Sequence, residues 1–425
     1  MQRISASFYV EHISEFKKQM LNWCNRFSIC CFMDSHNYLD KYHKYDCLVA
    51  ADAHEIFSPP NNIFSRLNSF YNEHEDWIFG HLNYDLKNEI EYLQSAHDNK
   101  IDFDNIFFFI PKVVLCLKGN ELTIHSIEKQ PQSIINEINI EDFNNTTSLN
   151  KNVAFTPKVS KDEYIQTVKK LQKHIQRGDC YEINYCQEFF AEDIFIDPLA
   201  TYNQLLEISP TPFSCFYKLE HKHVLCASPE RFLSKINNKI FSQPIKGTAS
   251  RNEDIVLDEA ERQQLYQNKK ERSENVMIVD LVRNDLSKIC EEGTVKAEEL
   301  FGIYSFPQVH QMISTITGEL RNDVSFPEII KAMFPMGSMT GAPKFRAMQL
   351  IELYEKTKRG LFSGSVGYIS PQRDFDFNVV IRSIFYNAQN KYLNYLVGSA
   401  ITFYADAEKE YEECLLKAKA INEIL

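Results

Sequence analysis

The spacing of hydrophobic and polar residues first predicts a helix near the middle of the chain. Ser160 and Glu163 have the spacing of a capping box, in which two residues satisfy each other's backbone N–H groups at a helix start. Apolar residues then recur on one helical stripe, at Tyr164, Val168, Leu171 and Ile175. Gly178 is a typical helix end. We therefore expect a helix between these two signals.

Alternating apolar and polar positions predict β-strands on both sides of this helix. Residues 113–127 alternate around Lys118-Gly119-Asn120-Glu121 as a β-hairpin does. Residues 231–241 are typical of two short strands joined at Asn237-Asn238. Further strands are predicted at three places, namely 181–196, 213–228 and a strand pair across 364–386.

The mixture of helices and strands predicts an α+β fold. A helix is expected after Pro343, and an acidic helix from about Asp406 onward. The stretch 144–152 is polar and lacks periodicity, so we place the main internal boundary there, between a region at 1–152 and a region at 158–425. The same stretch could equally be a surface loop within one fold.

Composition and charge narrow the classes of function. The chain has 425 residues, 44% of them hydrophobic, and can bury a substantial core. Its net charge of -12 repels nucleic acid and anionic lipid, so we expect neither nucleic acid nor a membrane as a partner. An acidic protein that handles an anionic small substrate needs a metal ion, or a few placed Arg and Lys residues, to reverse the local field.

Cysteine usage and apolar stretches predict a cytoplasmic protein. The 11 cysteines include no Cys-x-x-Cys pair and no His-spaced zinc pattern, so we expect buried thiols in a reducing compartment. The first residues lack the apolar centre of a signal peptide. The most apolar stretch, 106–117, is interrupted by Pro111 and Lys112 and is too short to span a membrane.

Two pairs of glutamates have a spacing that suits a metal ion. Glu271 with Glu274, and Glu410 with Glu413, each lie three residues apart and project from one flank of a helix. Two such helices that face each other would present hard oxygen ligands to Mg²⁺. The alternative is that each pair lies on a solvated helix face.

A lysine and a glutamate flank the predicted hairpin at 231–241. Counting outward from its turn places Glu230 opposite Ile245, next to Lys246, although a bulge or turn near Pro244 is needed to bring both side chains to one face. Such a pair can act as general acid and nucleophile if burial lowers the lysine pKa enough to leave some of it neutral. The alternative is a surface salt bridge.

A turn and an arginine near the end of the chain could bind an anion. The turn from Thr340 to Lys344 is predicted to open a helix with Pro343 at its first position, and a helix N-terminus offers free N–H groups. Arg382 lies in an alternating run and could bind a carboxylate through two nitrogens. The alternatives are a plain helix start and an ordinary ion pair.

Taken in order, these segments resemble the motifs of the chorismate-utilising enzymes, and most closely those of the large components of aminodeoxychorismate synthases. The matching segments are SPERF (228–232), PIKGT (244–248), ENVMIVDLVRNDL (274–286), VHQMISTITGEL (309–320), FPMGSMTGAPKFRAM (334–348), SGSVGYI (363–369), IRS (381–383) and DAEKEYEECLLKA (406–418). The resemblance implies a two-layer antiparallel β-sandwich core with flanking helices, and makes 158–425 the chorismate-binding catalytic domain.

The resemblance also implies roles for single residues. Mg²⁺ would be held by the four paired glutamates and would neutralise the ring carboxylate of chorismate. The positions implied to bind substrate are Thr248, Gln311, Thr340, Lys344, Tyr368, Arg382 and Gly398. Many relatives have histidine where this chain has Gln311, which can donate a hydrogen bond but cannot shuttle a proton near neutral pH. His310, one residue earlier, compensates only if the strand register shifts.

The residue that divides the family is Lys246. Anthranilate synthases have a small residue at this position of the motif, whereas aminodeoxychorismate synthases have lysine. The resemblance implies that Lys246 adds to C2 of chorismate while Glu230 protonates the departing C4 hydroxyl, after which ammonia adds at C4 and expels the lysine. Isochorismate and salicylate synthases carry a basic lysine near the position of Glu182, so this glutamate argues against water as the nucleophile.

The region at 1–152 resembles the N-terminal region of anthranilate synthase component I. FMDSH (32–36), together with SPTPF (209–213), resembles the segments that form the tryptophan pocket in anthranilate synthases. The chain departs from the family at its glycine-rich loop, which is Val397-Gly398-Ser399-Ala400.

The resemblance implies an enzyme that makes 4-amino-4-deoxychorismate for p-aminobenzoate and folate synthesis. No segment resembles a glutamine amidotransferase, so ammonia is expected from a partner glutaminase subunit or from solution. One alternative is an anthranilate synthase component I. Another is a catalytically silent, chorismate-binding regulatory subunit.

Overall fold

A computed structural model describes residues 2–38, 41–141, 153–306 and 309–425. The strands are β1 (Ile4–Tyr9), β2 (Ile29–Asp34), β3 (Cys47–Phe57), β4 (Ile78–Leu82), β5 (Ile106–Lys118), β6 (Glu121–Ser126), β7 (Thr156–Pro157), β8 (Glu182–Ala191), β9 (Phe213–Leu219), β10 (Lys222–Ser228), β11 (Arg231–Ile236), β12 (Lys239–Gln243), β13 (Ile245–Ser250), β14 (Lys296–Ser305), β15 (Val309–Glu319), β16 (Gly341–Ala342), β17 (Ser365–Ile369), β18 (Phe375–Asn378), β19 (Ser383–Asn387) and β20 (Tyr392–Ile401).

The helices lie between these strands and after the last of them. They are α1 (Ile13–Asn25), α2 (Ile63–Glu73), α3 (Lys87–Glu91), α4 (Pro131–Asn139), α5 (Lys161–Gln176), α6 (Pro198–Ile208), α7 (Ile255–Gln267), α8 (Lys269–Ser287), α9 (Phe326–Met333), α10 (Lys344–Tyr354), α11 (Ala407–Lys417) and α12 (Lys419–Ile424), with short 3-10 turns at Tyr84–Leu86 and Gly337–Met339.

The strands form one antiparallel network with two arms that meet at the long strand β5. The first arm runs β7-β8-β20-β19-β10-β9-β2-β3-β5-β6-β1. The second runs β5-β4-β17-β18-β11-β12-β15, with β13 and β14 also paired to β15. The two arms lie face to face, since His81 of β4 hydrogen-bonds the hydroxyl of Tyr217 in β9 at 3.0 Å. This is the two-layer core that we expected.

Two hydrophobic clusters hold the layers together. The first lies between the arms and combines residues such as Cys31 and Val114 of the first arm with Leu233 and Phe377 of the second. The second lies on the outer face of the first arm, where α1, α4, α5, α6, α10 and α12 cover it. Successive strand residues point to opposite faces, so one strand contributes side chains to both clusters. In β2, Cys31 belongs to the first cluster and Phe32 to the second.

Several sequence predictions are confirmed. Ser160 and Glu163 form the capping box of α5. The predicted hairpins are β5-β6, with Lys118 opposite Glu121, and β11-β12, with Ile236 opposite Lys239. Asp406 caps α11, and every cysteine is buried and free.

One detail of the prediction is wrong. Pro343 does not occupy the first position of α10 but caps it, because residues 341–342 first pair with β8 as β16. The β11-β12 register shifts at a bulge after Arg231, which lies opposite Gln243. The sequence required an irregularity of this kind near Pro244 to bring Glu230 and Lys246 to one face.

The N-terminal strands are part of the same network as the later ones. β2 pairs with β9, and β4 pairs with β17. The proposed boundary at 144–152 lies outside the described residues, so the division into two domains stays a prediction. None of the helices formed by the described residues is both long and apolar enough to cross a membrane.

Candidate active site

The candidate site centres on a buried ion pair between β13 and β8. The Nζ atom of Lys246 lies 2.5 Å from Oε1 of Glu182. Lys246 is 8% exposed and Glu182 is 1% exposed. Strand β16 pairs with β8, with Ala342 opposite Glu182, and also packs against α8. Helix α8 in turn packs against β13, which carries Lys246. These contacts bring β8 close to β13.

Lys246 is surrounded by negative charge. Burial alone lowers its pKa, but Glu182, Glu274 and Glu230 outweigh burial and leave the pKa above its ordinary value. The condition set out from the sequence, that burial lowers the lysine pKa, is not met in this structure, because buried carboxylates face the ammonium. In the free protein Lys246 is an ammonium ion.

Glu230 has the properties of a general acid. It is 4% exposed, and its Oε1 atom accepts a hydrogen bond from Ser338 Oγ at 2.6 Å. Burial raises its pKa to about 7, against the lowering effect of Ser338 and Lys246. The alternative of a surface salt bridge with Lys246 is wrong, because both side chains are buried.

The paired glutamates come together from two helices. Asn268 caps α8 and sets Glu271 and Glu274 in its first turns, while Asp406 caps α11, which carries Glu410 and Glu413. The Nζ atom of Lys270 lies 3.8 Å from Glu274 and 3.6 Å from Glu410. We use the name carboxylate cluster for Lys246 together with six glutamates, namely Glu182, Glu230, Glu271, Glu274, Glu410 and Glu413.

The pKa values of the paired glutamates indicate a site short of positive charge. Burial raises the pKa of Glu271, of Glu410 and, to about 7, of Glu274. Burial also raises that of Glu413, but Lys417 at 2.6 Å brings it below its ordinary value. Oε1 of Glu274 is buried without a hydrogen-bond partner among the described residues.

The chemistry of these side chains suits Mg²⁺, since carboxylate oxygens are its preferred protein ligands. Across the described residues, however, no three His, Cys, Asp or Glu side chains are gathered at metal-binding distance. Lys270 lies between Glu274 and Glu410, where it would compete with a metal ion. A solvated helix face is excluded for these two glutamates, which are 7% and 4% exposed.

Two glycines allow the elements of the site to approach. Gly247 has a φ of +89°, and a Cβ atom there would lie 3.1 Å from Glu271 Oε2. A Cβ atom at Gly398 would lie 2.4 Å from Cys186 Sγ of β8. The Gly398 carbonyl also accepts a hydrogen bond from Lys417 at 2.9 Å. Larger residues at these positions would separate α8 from β13 and β20 from β8.

Four of the positions implied to bind substrate lie on elements of the site. Arg382 has a left-handed φ of 52°, and burial lowers its pKa against the field of Glu413. Thr248 is exposed and lies opposite Gln311, whose buried Oε1 has no partner in the described ranges. Thr340 is fully buried, and its backbone carbonyl accepts a hydrogen bond from the N–H of Asn184.

Two other positions are used elsewhere. The Nζ atom of Lys344 lies 2.5 Å from Asp285 and also donates to the Met333 carbonyl, which ties α10 to α8. Tyr368 lines a cavity apart from the carboxylate cluster, together with Arg231 and Asp376, and its ring packs near Trp77. We call this cavity the second cavity, to distinguish it from the cluster. The structure therefore does not bring these two side chains into the carboxylate cluster.

His310 does not substitute for Gln311. Adjacent strand residues point to opposite faces, and His310 binds Ser305 at 2.8 Å and Asp258 at 3.0 Å. The β13-β15 register keeps Gln311 opposite Thr248. No register shift places an imidazole in the site.

The second cavity joins two segments that resemble the tryptophan pocket of anthranilate synthases. Met33, Asp34 and Ser35 of the first segment line it together with Pro212 and Phe213 of the second. This agrees with the predicted association of FMDSH and SPTPF.

The sequence did not reveal the ion pair of Glu182 or the hydrogen bond of Ser338. A signal for Glu182 was present, because residues 182, 184, 186 and 188 are Glu, Asn, Cys and Glu at alternate positions of a buried strand. Polar side chains on one face of a buried strand indicate either a polar network or a site. Ser338 carried no comparable signal.

Comparison with known proteins identifies the family of the chain. The family model for chorismate binding enzymes matches residues 30–423. A probable chloroplastic aminodeoxychorismate synthase of Oryza sativa is 40% identical over 68% of this chain, but over only 32% of its own length. The chain thus spans about a third of that relative.

Two further comparisons cover more of both chains. Aminodeoxychorismate synthase component 1 of Klebsiella aerogenes is 33% identical over 80% of this chain and 75% of its own. The crystal structure of anthranilate synthase component I from Streptococcus pneumoniae has a TM-score of 0.77 at 23% identity, with 91% of this chain and 94% of that chain covered. At this identity the structural likeness shows a shared fold.

Proposed function

Because the chain belongs to the family of chorismate-binding enzymes, we propose that it converts chorismate and ammonia to 4-amino-4-deoxychorismate. The observation that carries the proposal is a buried lysine, Lys246, beside a buried carboxyl group, Glu230, whose pKa is about 7. A lysine nucleophile and a carboxylic acid that is half protonated near neutral pH are what a covalent substitution at an allylic alcohol requires.

The proposed reaction has two displacements. The amine of Lys246 bonds to C2 of chorismate, the two ring double bonds move from C1=C2 and C5=C6 to C1=C6 and C4=C5, and the C4–O bond breaks as Glu230 gives its proton to the hydroxyl, which leaves as water. Ammonia then bonds to C4, and the C2–N bond to Lys246 breaks. Each step is easier than a direct exchange of hydroxyl for amine.

We propose that Glu271, Glu274, Glu410 and Glu413 hold Mg²⁺ when substrate is present. The ion would supply positive charge to the ring carboxylate of chorismate. Its binding requires that the carboxylates close up and that Lys270 leaves its place between Glu274 and Glu410. The raised pKa values of Glu274 and Glu410 support this assignment, because burial and mutual repulsion favour a cation.

We assign a carboxylate of the substrate to Arg382, which has no side-chain ion pair within the part of the chain that the structure describes. Gln311, with Thr248 opposite it, is assigned to hydrogen bonding at the ring. A neutral amide keeps its hydrogen bonds across the pH range in which a histidine would titrate.

We propose a glutaminase partner as the source of ammonia. The Klebsiella relative is named component 1, which implies a second component for that protein. Glutamine-dependent activity of the purified chain with no other protein present would refute the partner. We keep the cytoplasm as the proposed location.

The test of function is product analysis by chromatography and mass spectrometry after incubation with chorismate, Mg²⁺ and an ammonium salt at mildly alkaline pH, with EDTA as control. We expect a Mg²⁺-dependent product in which the hydroxyl has become an amine and the enolpyruvyl group remains, and which a lyase converts to p-aminobenzoate. Fluorescent anthranilate would overturn the assignment. Unchanged chorismate that binds tightly would favour a silent regulatory subunit.

A further inference from the structure

Glu182 is a buried carboxylate with only one of its two oxygens hydrogen-bonded within the described residues. One oxygen accepts a hydrogen bond from Lys246 at 2.5 Å, and the other, Oε2, is buried without a hydrogen-bond partner among the residues described. A buried carboxylate oxygen without a hydrogen bond lowers stability, so its presence needs a physical reason.

The proposed reaction creates a need that this geometry meets. Lys246 rests as an ammonium ion, and an ammonium has no electron pair to donate to carbon. Its proton must leave before the C–N bond forms. The carboxylates that act on Lys246 electrostatically are Glu182 on β8, Glu230 immediately before β11, Glu271 and Glu274 on α8, and Glu413 on α11.

Of these carboxylates, Glu182 fits the task best. Glu230 has to carry its own proton to the leaving hydroxyl and is held by Ser338. Glu271, Glu274 and Glu413 are assigned to Mg²⁺. Within the described ranges, Glu182 is the one that is recorded within hydrogen-bond distance of the Lys246 ammonium.

We propose that Glu182 is the base that takes the proton from Lys246 and holds the resulting amine against the substrate, an inference that rests on the proposed function. The proton moves from Nζ to Glu182, the free electron pair bonds to C2, and Glu230 loses its own proton to the departing water. When ammonia later expels Lys246 as a neutral amine, Glu182 returns the proton and the ion pair forms again.

The first measurement is independent of turnover. Reductive methylation with formaldehyde and cyanoborohydride reacts with neutral amines, and mass spectrometry of the peptide that contains Lys246 follows its rate against pH. Removal of the negative charge in Glu182→Gln should shift the midpoint for Lys246 by about one pH unit to lower pH, which is about a tenfold larger neutral fraction at a given pH. An unchanged midpoint would overturn the inference.

The matched control is Glu188→Gln, on the same strand and face. Its carboxylate binds Tyr392, Asn394 and Thr357 rather than Lys246. It should therefore leave the methylation profile of Lys246 unchanged. A shift of equal size in this variant would mean that any lost charge on β8 has the same effect, and would also overturn the inference.

The second measurement is kinetic. Glu182→Gln should lower kcat about 100-fold, with KM for chorismate unchanged, because proton transfer and not binding is lost. Glu182→Asp keeps the charge but withdraws it by one methylene, so it should keep most of the methylation profile yet lose kcat. If Glu182→Gln does not fold, Glu182→Asp provides the kinetic test instead.

The two proposals fail in different ways. If no aminated product forms with any variant, the proposed function is wrong. If the product forms, Lys246→Ala is inactive and Glu182→Gln keeps full kcat, then the function stands and the role of Glu182 is wrong.

Discussion

Strand β8 carries two glutamates on the same face with opposite surroundings, one at its first residue and one three residues before its last. At one end, both oxygens of Glu188 accept hydrogen bonds from neutral donors, namely Tyr392 at 2.7 Å, Asn394 at 2.6 Å and Thr357 at 2.5 Å. At the other end, Glu182 has one charged partner, Lys246, and an oxygen with none in the described chain.

The different surroundings of Glu188 and Glu182 indicate a structural role for the first and a chemical role for the second. A buried carboxylate whose two oxygens are both hydrogen-bonded to neutral groups holds elements together and has no reason to exchange a proton. A buried carboxylate with one oxygen on an ammonium and the other without a hydrogen bond does not recover the full free-energy cost of its desolvation. Natural proteins tolerate such a cost at functional sites. Substitutions at both ends should therefore have different kinds of effect.

The largest effect is expected at the centre of the site. Lys246→Ala removes the nucleophile, so kcat for aminated product should fall by at least about 1,000-fold. Intact-protein mass spectrometry after rapid quenching should show a chorismate-derived adduct on wild type and none on the variant. Full activity of Lys246→Ala would disprove the covalent route.

Glu230→Gln should have the next largest effect. The variant cannot protonate the leaving hydroxyl, so kcat should fall about 100-fold. In wild type the leaving hydroxyl requires protonated Glu230, whose pKa is about 7, so kcat should decline as pH rises through 7 in the enzyme–substrate complex. Steady-state kinetics from pH 6 to 9 measures both, and an undiminished wild-type kcat at high pH would contradict the assignment.

The pH dependence of stability comes third. The folded pKa of Glu230 is about 7 and lies above its unfolded value near 4.5, so its contribution is complete below about pH 4.5 and is lost as pH rises through 7. Urea unfolding should give a wild-type free energy that falls about 2 kcal/mol more than that of Glu230→Gln over this range. Parallel curves would contradict the raised pKa.

The smallest effect is expected at the other end of β8. Glu188→Gln turns an acceptor into a donor that faces donors, which should cost about 1–2 kcal/mol of folding free energy. Urea unfolding measures this loss, and kcat should stay at the wild-type value. A large loss of kcat at unchanged stability would remove the distinction between the two ends.

Local patterns predicted much of this molecule. The β5-β6 hairpin and the capping box at Ser160 depend on neighbours in sequence, and both formed as expected. The family motifs named Lys246 and Glu230, and the structure buries both.

What sequence reasoning missed depends on contacts between distant residues. Glu182 and Lys246 are 64 residues apart, and no periodicity records that β8 lies beside β13. The sequence required a bulge or turn near Pro244 but did not place it, and the structure places a bulge after Arg231. Tyr368 matched a motif, yet its ring packs against Trp77 at the second cavity.

The pairing of the N-terminal strands has a consequence for aggregation. The members of the carboxylate cluster all lie after residue 153, but β9 and β17 each have an N-terminal strand, β2 and β4, along one side. Without residues 2–141, both would present a row of unpaired backbone groups to solvent. Open strand edges of this kind pair with other molecules. The N-terminal strands thus protect the catalytic layers from self-association, whatever else their cavity binds.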